Sequence, residues 1–366
     1  MKIIVNGLEL NDAIAKVSKA LPVKEVVPVL DCIKIVAEND KLTLLASDRD
    51  LTIEKTIDAS VLISGSVLVP GRLFAEYIRN IAGDSEVILE LKEERMLITS
   101  SRSECYITCR DASEYPDIEQ ISNDTHFTIT ESNLKDIIGK VIFSVATDET
   151  RPILKGIYLE AKGYTLTAVA TDGYRFAMCK KPLEAQVDLI SATVPSRSMA
   201  ELARLLGDGE EIVRVYIEKN NLMVTLTNTK LMTRLLTNGQ YIKYDNLIPT
   251  EFVTTLTVNR QDFEKSLNIA SIMSRGEKSN LVLLDIEEYS MKMSSTSEYG
   301  TVKEDVAISL NGKDIKCTYN SKYINDCIKV LDAETIKMDF AKNLSCIITV
   351  NNSDEVLYFI LPVSIF

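Results

Sequence analysis

Apolar residues recur with helical spacing in three segments of the chain, and the segments are copies of one another. They read VPGRLFAEYIRNI (69–81), VPSRSMAELARLL (194–206) and YNSKYINDCIKVL (319–331), each 125 residues after the last. Their apolar positions follow an i, i+3, i+4, i+7 spacing, which predicts a helix with one buried face. These positions are Phe74, Tyr77, Ile78 and Ile81, then Met199, Leu202, Ala203 and Leu206, then Ile324, Cys327, Ile328 and Leu331. The gapless alignment indicates an internal repeat.

Other predicted elements recur in the same order. A first helix is predicted at 10–17, 134–141 and 263–270, and alternating strands at 41–48, 164–172 and 289–297. Later strands at 85–92, 95–101 and 104–110 recur at 212–218, 222–228 and 230–236. The pattern predicts an α+β unit of two helices and about eight strands, present three times.

The length of the repeat decides between a solenoid and tandem domains. Solenoid repeats of ~20–45 residues cannot bury a core alone, whereas a unit of this length can. We therefore predict three tandem domains of similar topology, at 1–122, 123–250 and 251–366.

Composition narrows the class of protein. The chain is 46% apolar and 26% charged, as expected for a globular protein that folds throughout. An N-terminus without a signal peptide, and the lack of a membrane-length apolar run, predict a cytoplasmic protein with no membrane partner. Seven cysteines without a C-x-x-C pair indicate neither a disulfide framework nor a zinc site, so we expect no metal and no cofactor.

A formal charge of −12 argues against nucleic-acid binding, but the basic residues are not evenly spread. On the polar face of each later helix, two bases stand seven residues apart: Arg72 and Arg79, Arg197 and Arg204, Lys322 and Lys329. If the three units surround an axis, these pairs form a basic lining. The alternative is a solvated face stabilised by local ion pairs, since Glu76, Glu201 and Asp326 follow the first base by four residues.

Several segments carry a resemblance that covers the whole chain. TRPILKGIYLE (150–160), ATDGYRFAMC (170–179), VPSRSMAEL (194–202), NGQYIKYDNLIP (238–249) and the final LPV (361–363) resemble the bacterial DNA polymerase III beta subunits, the DNA sliding clamps. The resemblance implies a head-to-tail homodimer whose six domains form a ring around duplex DNA. It also implies partners: the replicative polymerase's catalytic subunit, a clamp loader, and other replication or repair proteins with a clamp-binding motif.

The resemblance assigns site residues by alignment. Lys24 matches a DNA-contacting position, and Tyr106 and Thr108 of one chain would face Ile272 and Met273 of the other. The pocket for a partner's short linear motif would comprise Leu154, Thr171, Gly173, Tyr174, Arg175, Phe176, Ile242, Leu247, Phe359, Ile360, Leu361, Pro362 and Val363. For Leu154 and Ile360, an ordinary place in the domain core is the alternative interpretation.

Some residues depart from the family's pattern. Ile242 stands where proline is common, Asn246 where a base is common, and the chain ends Ser364-Ile365-Phe366 without an arginine. Pro152 and Ile153 replace aromatic DNA contacts. These differences concern the preferred motif and local DNA affinity more than the pocket's location.

Enzyme chemistry is weakly supported by the sequence. Asp48 and Asp172 end equivalent strands, but the third copy has Glu298, and such aspartates usually organise a turn. His126 has no nucleophile context, and no ATP-binding Gly-rich motif exists, so we expect no catalytic residues. Two non-enzymatic alternatives are a tandem-repeat scaffold that does not encircle DNA and a cell-surface array, which the missing export signal disfavours.

Overall fold

The structure, a computed structural model, describes residues 1–24, 27–118, 121, 125–274, 280–350 and 353–364. The chain divides into two compact units. Unit 1 comprises Met1–Glu131 and Arg204–Leu235, and unit 2 comprises Ser132–Ala203 and Leu236–Phe366. The central third of the sequence therefore contributes residues to both units. No described helix is long and apolar enough to cross a membrane.

The first third of the chain forms two helices and nine strands. In chain order they are β1 (Lys2–Val5), α1 (Gly7–Val17), β2 (Cys32–Glu38), β3 (Lys41–Ser47), β4 (Leu51–Asp58), β5 (Ser60–Ile63), β6 (Gly65–Pro70), α2 (Gly71–Ile81), β7 (Val87–Lys92), β8 (Arg95–Thr99) and β9 (Glu104–Thr108).

The central third repeats this order with longer strands. Its elements are β10 (His126–Thr130), α3 (Glu131–Val141), β11 (Gly156–Thr171), β12 (Arg175–Pro195), α4 (Ser196–Leu205), β13 (Ile212–Glu218), β14 (Asn221–Thr225) and β15 (Thr229–Arg234). The register of β11 shifts on both sides of Gly163, whose φ of 60° glycine adopts without steric cost. In the first third, Asn39 and Asp40 have positive φ at the equivalent place, between β2 and β3.

The last third completes the pattern. Its elements are β16 (Phe252–Asn259), α5 (Arg260–Ala270), β17 (Leu281–Ile286), β18 (Ser290–Ser297), β19 (Gly300–Gly312), β20 (Ile315–Asn320), α6 (Ser321–Lys329), β21 (Thr335–Ala341), β22 (Cys346–Val350) and β23 (Val356–Ile360). The described residues thus contain six α-helices, all at the predicted places, and the predicted α+β fold is confirmed.

Side-chain caps explain where several helices begin. The Asn6 side chain accepts hydrogen bonds from the Leu8 and Glu9 amides at the start of α1. Asn259 caps α5 in the same way, and Asn320 accepts from the Lys322 amide of α6. Each cap satisfies backbone donors that the first turn of a helix leaves without a partner.

Unit 1 contains two antiparallel sheets. The five-stranded sheet has the order β5-β1-β7-β8-β9, which leaves β9 at an edge. The eight-stranded sheet has the order β10-β13-β14-β15-β4-β3-β2-β6, so strands of the first and central thirds share one sheet through the β15–β4 pair.

Unit 2 contains one ten-stranded sheet, in which the central and last thirds meet in the same manner. Its order is β11-β12-β23-β22-β21-β16-β19-β18-β17-β20, with β23 paired to β12.

The strand register repeats three times with the sequence. Cys32 pairs with Pro70, Gly156 with Pro195 and Leu281 with Asn320, and each second partner immediately precedes a helix. The apolar faces predicted for those helices are buried, with Phe74, Met199 and Ile324 each at most 1% exposed. Burial of such a face is what holds a helix of this length against its sheet.

Candidate functional sites

The basic pair of α2 lies on the exposed face of that helix, opposite the buried Phe74. One Arg72 guanidinium nitrogen donates to the carbonyl oxygens of Pro22, at 2.7 Å, and Val23, at 3.3 Å. Arg72 and Arg79 line a groove of about 700 Å³ beside the end of α1. Both guanidinium groups therefore lie where an anion in solvent can reach them.

The equivalent bases of the other two copies are also exposed. Arg197 and Arg204 are exposed on α4, and Lys322 and Lys329 on α6. Lys322 Nζ lies 2.7 Å from Asp326 Oδ2, so the alternative of a locally paired, solvated face describes this lysine well. The two bases are exposed in every copy, as predicted. Their partners differ, because Arg72 donates to backbone carbonyls and Lys322 pairs with a carboxylate.

Three further bases have different surroundings. Lys24 is exposed, and Lys16 Nζ lies 2.8 Å from Asp12 Oδ2. Lys140, by contrast, is half-buried with its ammonium 2.7 Å from the carboxylates of both Asp136 and Glu355. Although burial lowers it, these hydrogen bonds raise the pKa of Lys140 above its usual value. Its charge is therefore already neutralised within unit 2.

The residues predicted to form the partner pocket all belong to unit 2, and a strand pair brings many of them together. Arg175 pairs with Ile360 and Phe176 with Phe359 along β12 and β23. The Phe176 and Phe359 rings stack with centroids 5.3 Å apart. The Leu361 amide then donates to the Tyr174 carbonyl at 2.9 Å, which extends the pairing beyond β23.

A tight turn connects β11 to β12 at this place. Asp172 Oδ1 accepts hydrogen bonds from the amides of Tyr174, at 2.9 Å, and Arg175, at 3.1 Å. Thr171 Oγ1 donates to the Arg175 carbonyl at 2.7 Å and accepts from the Gly173 amide at 3.0 Å. Gly173 has a φ of 92°, which strains any residue with a Cβ.

The turn-organising role predicted for the two aspartates is confirmed. In the first copy, Asp48 Oδ1 accepts from the amides of Asp50, at 3.1 Å, and Leu51, at 2.8 Å. Asp48 belongs to unit 1 and Asp172 to unit 2. Each carboxylate is therefore engaged by the amides of its own turn.

The Arg175 side chain stabilises unit 2 from within and is only 5% exposed. Its guanidinium donates to Asp172 at 3.1 Å, to Asp326 at 2.8 Å and to the Phe143 carbonyl at 2.7 Å. It also lies over the Tyr323 ring, 4.3 Å from the centroid. Because its guanidinium is buried and has several partners, Arg175 supports the turn at the predicted pocket. Its charge is not exposed to a ligand.

An apolar cluster joins the predicted pocket residues to others that the sequence did not reveal. Leu154, Phe176 and Phe359 are buried in it, and Ile242 and Leu361 pack against its edge. The members that sequence reasoning missed are Ala146, Val169, Met178, Tyr241 and Ile347, with Ile153, Tyr158, Tyr244, Ile248 and Leu357 partly buried around them. Tyr241 stacks on Tyr158 and donates to the Val169 carbonyl at 3.2 Å. Tyr241 could have been predicted from the sequence, because it is adjacent to the predicted pocket residue Ile242.

Other predicted pocket residues remain open to solvent. Tyr174 is 63% exposed, Leu247 40% and Val363 36%. Pro362 is partly exposed, and the Val363 amide donates to the Thr318 carbonyl at 2.8 Å, which holds the chain end against unit 2. Ile365 and Phe366 lie outside the described residues. Exposed apolar residues thus surround a buried aromatic cluster, an arrangement typical of a small anchor site.

The residues predicted for the dimer interface are exposed on their separate units. Tyr106, which is 55% exposed, and Thr108 point outward from the edge strand β9 of unit 1. Ile272, 50% exposed, and the half-buried Met273 lie in a short turn after α5 in unit 2. An exposed strand edge is a ready place for pairing with a second chain.

Comparison with known families covers nearly the whole chain. Models of the DNA polymerase III beta subunit match at residues 1–119 for the N-terminal domain, 128–243 for the central domain and 245–364 for the C-terminal domain. The chain belongs to the DNA polymerase III beta subunit family.

Individual relatives agree with the family. A beta sliding clamp of Staphylococcus epidermidis is 31% identical over 367 aligned positions, covering 97% of this chain and 96% of the relative. One from Staphylococcus aureus is also 31% identical, with the same coverage. The crystal structure of the Bacillus subtilis DNA polymerase sliding clamp has a TM-score of 0.96 and 29% identity, over all of both chains.

Membership of this family determines the class of function. The chain is a DNA sliding clamp, a non-catalytic processivity factor of DNA replication built from three tandem clamp domains. A repeat scaffold that does not encircle DNA is not favoured. Within the described ranges, no group of three or more His, Cys, Asp or Glu side chains is arranged to hold a metal ion.

Proposed function

We propose that two copies of this chain join head to tail and close a six-domain ring around duplex DNA. Three similar domains per chain, which we delimit at 1–122, 123–250 and 251–366, complete a sixfold ring only when two chains meet. The boundary near 122 lies outside the described residues. The exposed edge strand with Tyr106 and Thr108, and the exposed Ile272 with Met273, supply the two halves of the contact.

The oligomeric state tests this proposal. Light scattering at micromolar concentration should give twice the 40.8 kDa of one chain. Ile272→Asp with Met273→Asp should reduce it to one chain, because charged residues would be buried in the contact. Leu189→Asp, at an apolar residue 62% exposed elsewhere in unit 2, is the matched control and should remain a dimer. A wild-type monomer would rule out the ring.

The proposed ring holds DNA by encirclement, with the exposed bases of α2, α4 and α6 facing the phosphates. The observation that carries this is the exposure of all six bases at equivalent helix positions, together with Lys24. Once loaded, the protein should stay on closed circular DNA and dissociate when the circle is cut. Equal loss from circular and linear DNA would contradict encirclement, because a purely electrostatic binder does not sense ends.

The proposed docking site is the rim of the apolar cluster in unit 2. A partner's short linear motif would place apolar side chains against Leu247, Leu361 and Val363, above the stacked Phe176 and Phe359 rings. The partners would be the polymerase's catalytic subunit, a clamp loader and other replication or repair proteins. A separate loader is expected because the sequence has no ATP-binding motif. We also propose a cytoplasmic location, because these partners act on the DNA there.

Truncation tests the docking site. Removing residues 362–366 should abolish binding of a Gln-x-x-Leu-Phe peptide, for which we expect a Kd of about 1 μM, or about −8 kcal/mol. The dimer and secondary structure should persist, because the removed residues follow the end of β23. Asp354→Asn, near the other end of β23, serves as the control. Equal peptide affinity of the truncated and full-length proteins would show that the pocket lies elsewhere.

A further inference from the structure

A second cavity lies in unit 1, on a face of the eight-stranded sheet. Its floor is a row of residues that stand opposite one another on adjacent strands: Lys34 faces Leu45, Leu45 faces Glu54, and Glu54 faces Lys230. Met232 and Met223 face each other in the next row on β15 and β14. The cavity has a volume of about 390 Å³, within the usual range for a ligand site.

One wall of the cavity is the chain segment that crosses the sheet after β9. Tyr115, Pro116 and Ile118 of this segment line the cavity. The Tyr115 ring is buried against Leu30, and Lys34 Nζ lies 6.0 Å from the ring's centroid. The described residues that line the cavity therefore all belong to unit 1, with the eight-stranded sheet below and the buried Tyr115 ring at its side.

The apolar cluster of unit 2 is the internal copy of this cavity. Leu45 corresponds to Val169 and Glu54 to Met178 at the repeat offset of 124 residues, and Met178 stands opposite Leu357 just as Glu54 stands opposite Lys230. The wall segments also correspond: Tyr241 stacks on Tyr158 in unit 2. Tyr115 lies near Lys34, the residue equivalent to Tyr158, in unit 1.

The two copies differ in how completely they are filled. In unit 2 the row is apolar and the Tyr241 hydroxyl donates to the Val169 carbonyl. In unit 1 the row carries charges, and the buried Tyr115 hydroxyl has no hydrogen-bond partner among the described residues. In unit 2, Tyr241 stacks on Tyr158 and fills the space above the sheet. In unit 1, Lys34 stands in place of Tyr158, and the space above the sheet remains open.

We propose that this unit 1 cavity binds a second short segment of a partner protein, one that carries an apolar side chain next to a carboxylate. The apolar part would pack on Met223 and Met232, which are half-buried neighbours on the sheet surface. Methionine adapts to differently shaped side chains, so such a pair suits peptide binding. The proposal depends neither on ring closure nor on the docking site of unit 2.

The charges inside the cavity select the carboxylate. Lys230 Nζ lies 3.0 Å from Glu54 Oε1, so these two charges offset each other. Lys34 has no carboxylate partner among the described residues, and Asp117, the other acid among the described lining residues, is exposed at the rim. A half-buried lysine to which the described part of the chain supplies no counter-charge, beside an apolar surface, favours an anionic group on the ligand.

Methyl NMR of the full chain, labelled with ¹³C at the methionine ε carbons, tests the proposal. The probes are the peptides acetyl-Leu-Phe-Asp-Asp-amide and its uncharged counterpart acetyl-Leu-Phe-Asn-Asn-amide. The acidic peptide should shift the Met223 and Met232 signals saturably, with a Kd about fivefold lower than that of the neutral one. The Met178 signal reports independently on the cluster of unit 2.

Variants locate the charge effect. Lys34→Gln should abolish the preference for the acidic peptide and Lys34→Arg should retain it, while Lys41→Gln, an exposed base on the adjacent strand, should change nothing. If Lys34→Gln fails to fold, the affinities of the acidic and neutral peptides for wild type and for Lys34→Arg still test the proposal. The proposal is wrong if Met223 and Met232 do not respond, if only Met178 responds, or if both peptides bind wild type equally.

Discussion

Arg175 and Arg72 carry the same side chain in opposite surroundings. The Arg175 guanidinium is buried in unit 2 and is satisfied by Asp172, Asp326, the Phe143 carbonyl and an aromatic ring. Arg72 lies on the exposed face of α2 in unit 1 and, among the described residues, donates to the backbone carbonyls of Pro22 and Val23. A motif in the sequence therefore does not reveal whether its arginine stabilises the folded protein or binds a ligand.

The difference follows from what each charge would lose. A buried guanidinium is tolerated because its partners replace the water that it gives up. Removing it takes the buried counter-charge from the half-buried Asp172 and Asp326 carboxylates and leaves Asp326 with the exposed Lys322. An exposed guanidinium keeps its hydration and can be removed at little cost to stability. Its charge remains available to a phosphate, whose contacts dominate DNA affinity.

The largest effect is expected for Arg175→Ala. Breaking the buried pairs should lower the free energy of unfolding by roughly 3–5 kcal/mol. Urea denaturation followed by circular dichroism measures the loss. Lys322→Ala removes the other base beside Asp326 but leaves Arg175 in place, and should cost at most about 1 kcal/mol because Lys322 is exposed. If the two variants lost the same free energy of unfolding, the buried Arg175 and the exposed Lys322 would not differ in their contribution to stability.

The second prediction concerns the exposed pair. Arg72→Glu with Arg79→Glu should weaken duplex DNA binding at least about tenfold and reduce the log–log salt dependence by roughly two per chain. The free energy of unfolding should stay within about 1 kcal/mol of wild type, because both side chains are exposed. Fluorescence anisotropy with labelled DNA over a salt series gives both quantities.

The matched control reverses two exposed bases on the five-stranded sheet of the same unit. Lys92→Glu with Arg95→Glu changes the net charge equally, and both residues belong to strands β7 and β8 instead of α2. If this control weakened DNA binding as much as the α2 variant, general charge would explain the effect and the helix face would lose its proposed role.

The sequence predicted features that local spacing determines. Burial of Phe74, Met199 and Ile324 follows from helical periodicity, and the Asp48 and Asp172 turns follow from strand-end chemistry. The sequence could not predict that Arg175 pairs with Asp326, because 151 residues separate them and only the tertiary fold brings them together. For the same reason, the apolar cluster was found only through residues that the family resemblance covered, and Tyr241 and Val169 were missed.

Lys140 is less buried than Arg175 and less exposed than Arg72. The pH dependence of stability measures how much its ion pairs contribute to the fold. Although burial raises them, hydrogen bonds from Lys140 and Lys181 lower the pKa values of Asp136 and Glu355 below the ordinary values of these carboxyl groups. Carboxyl groups with a lowered pKa in the folded state stabilise it above their unfolded pKa, and that contribution disappears as pH falls through the folded value. Both side chains are about 40% exposed, so solvent screening keeps the contribution below about 1 kcal/mol.

The test is urea denaturation between pH 7 and pH 3 for wild type and the Asp136→Asn variant. The variant should be slightly less stable at pH 7. The difference should begin to shrink as pH falls below the unfolded pKa of about 4 and should vanish as pH falls through the lowered folded pKa, because the wild-type carboxylate then becomes protonated as well. Asp12→Asn, which removes the exposed partner of Lys16, is the control and should show a smaller change. A difference that stays constant down to pH 3 would mean that Asp136 stabilises the fold through packing and not through its charge.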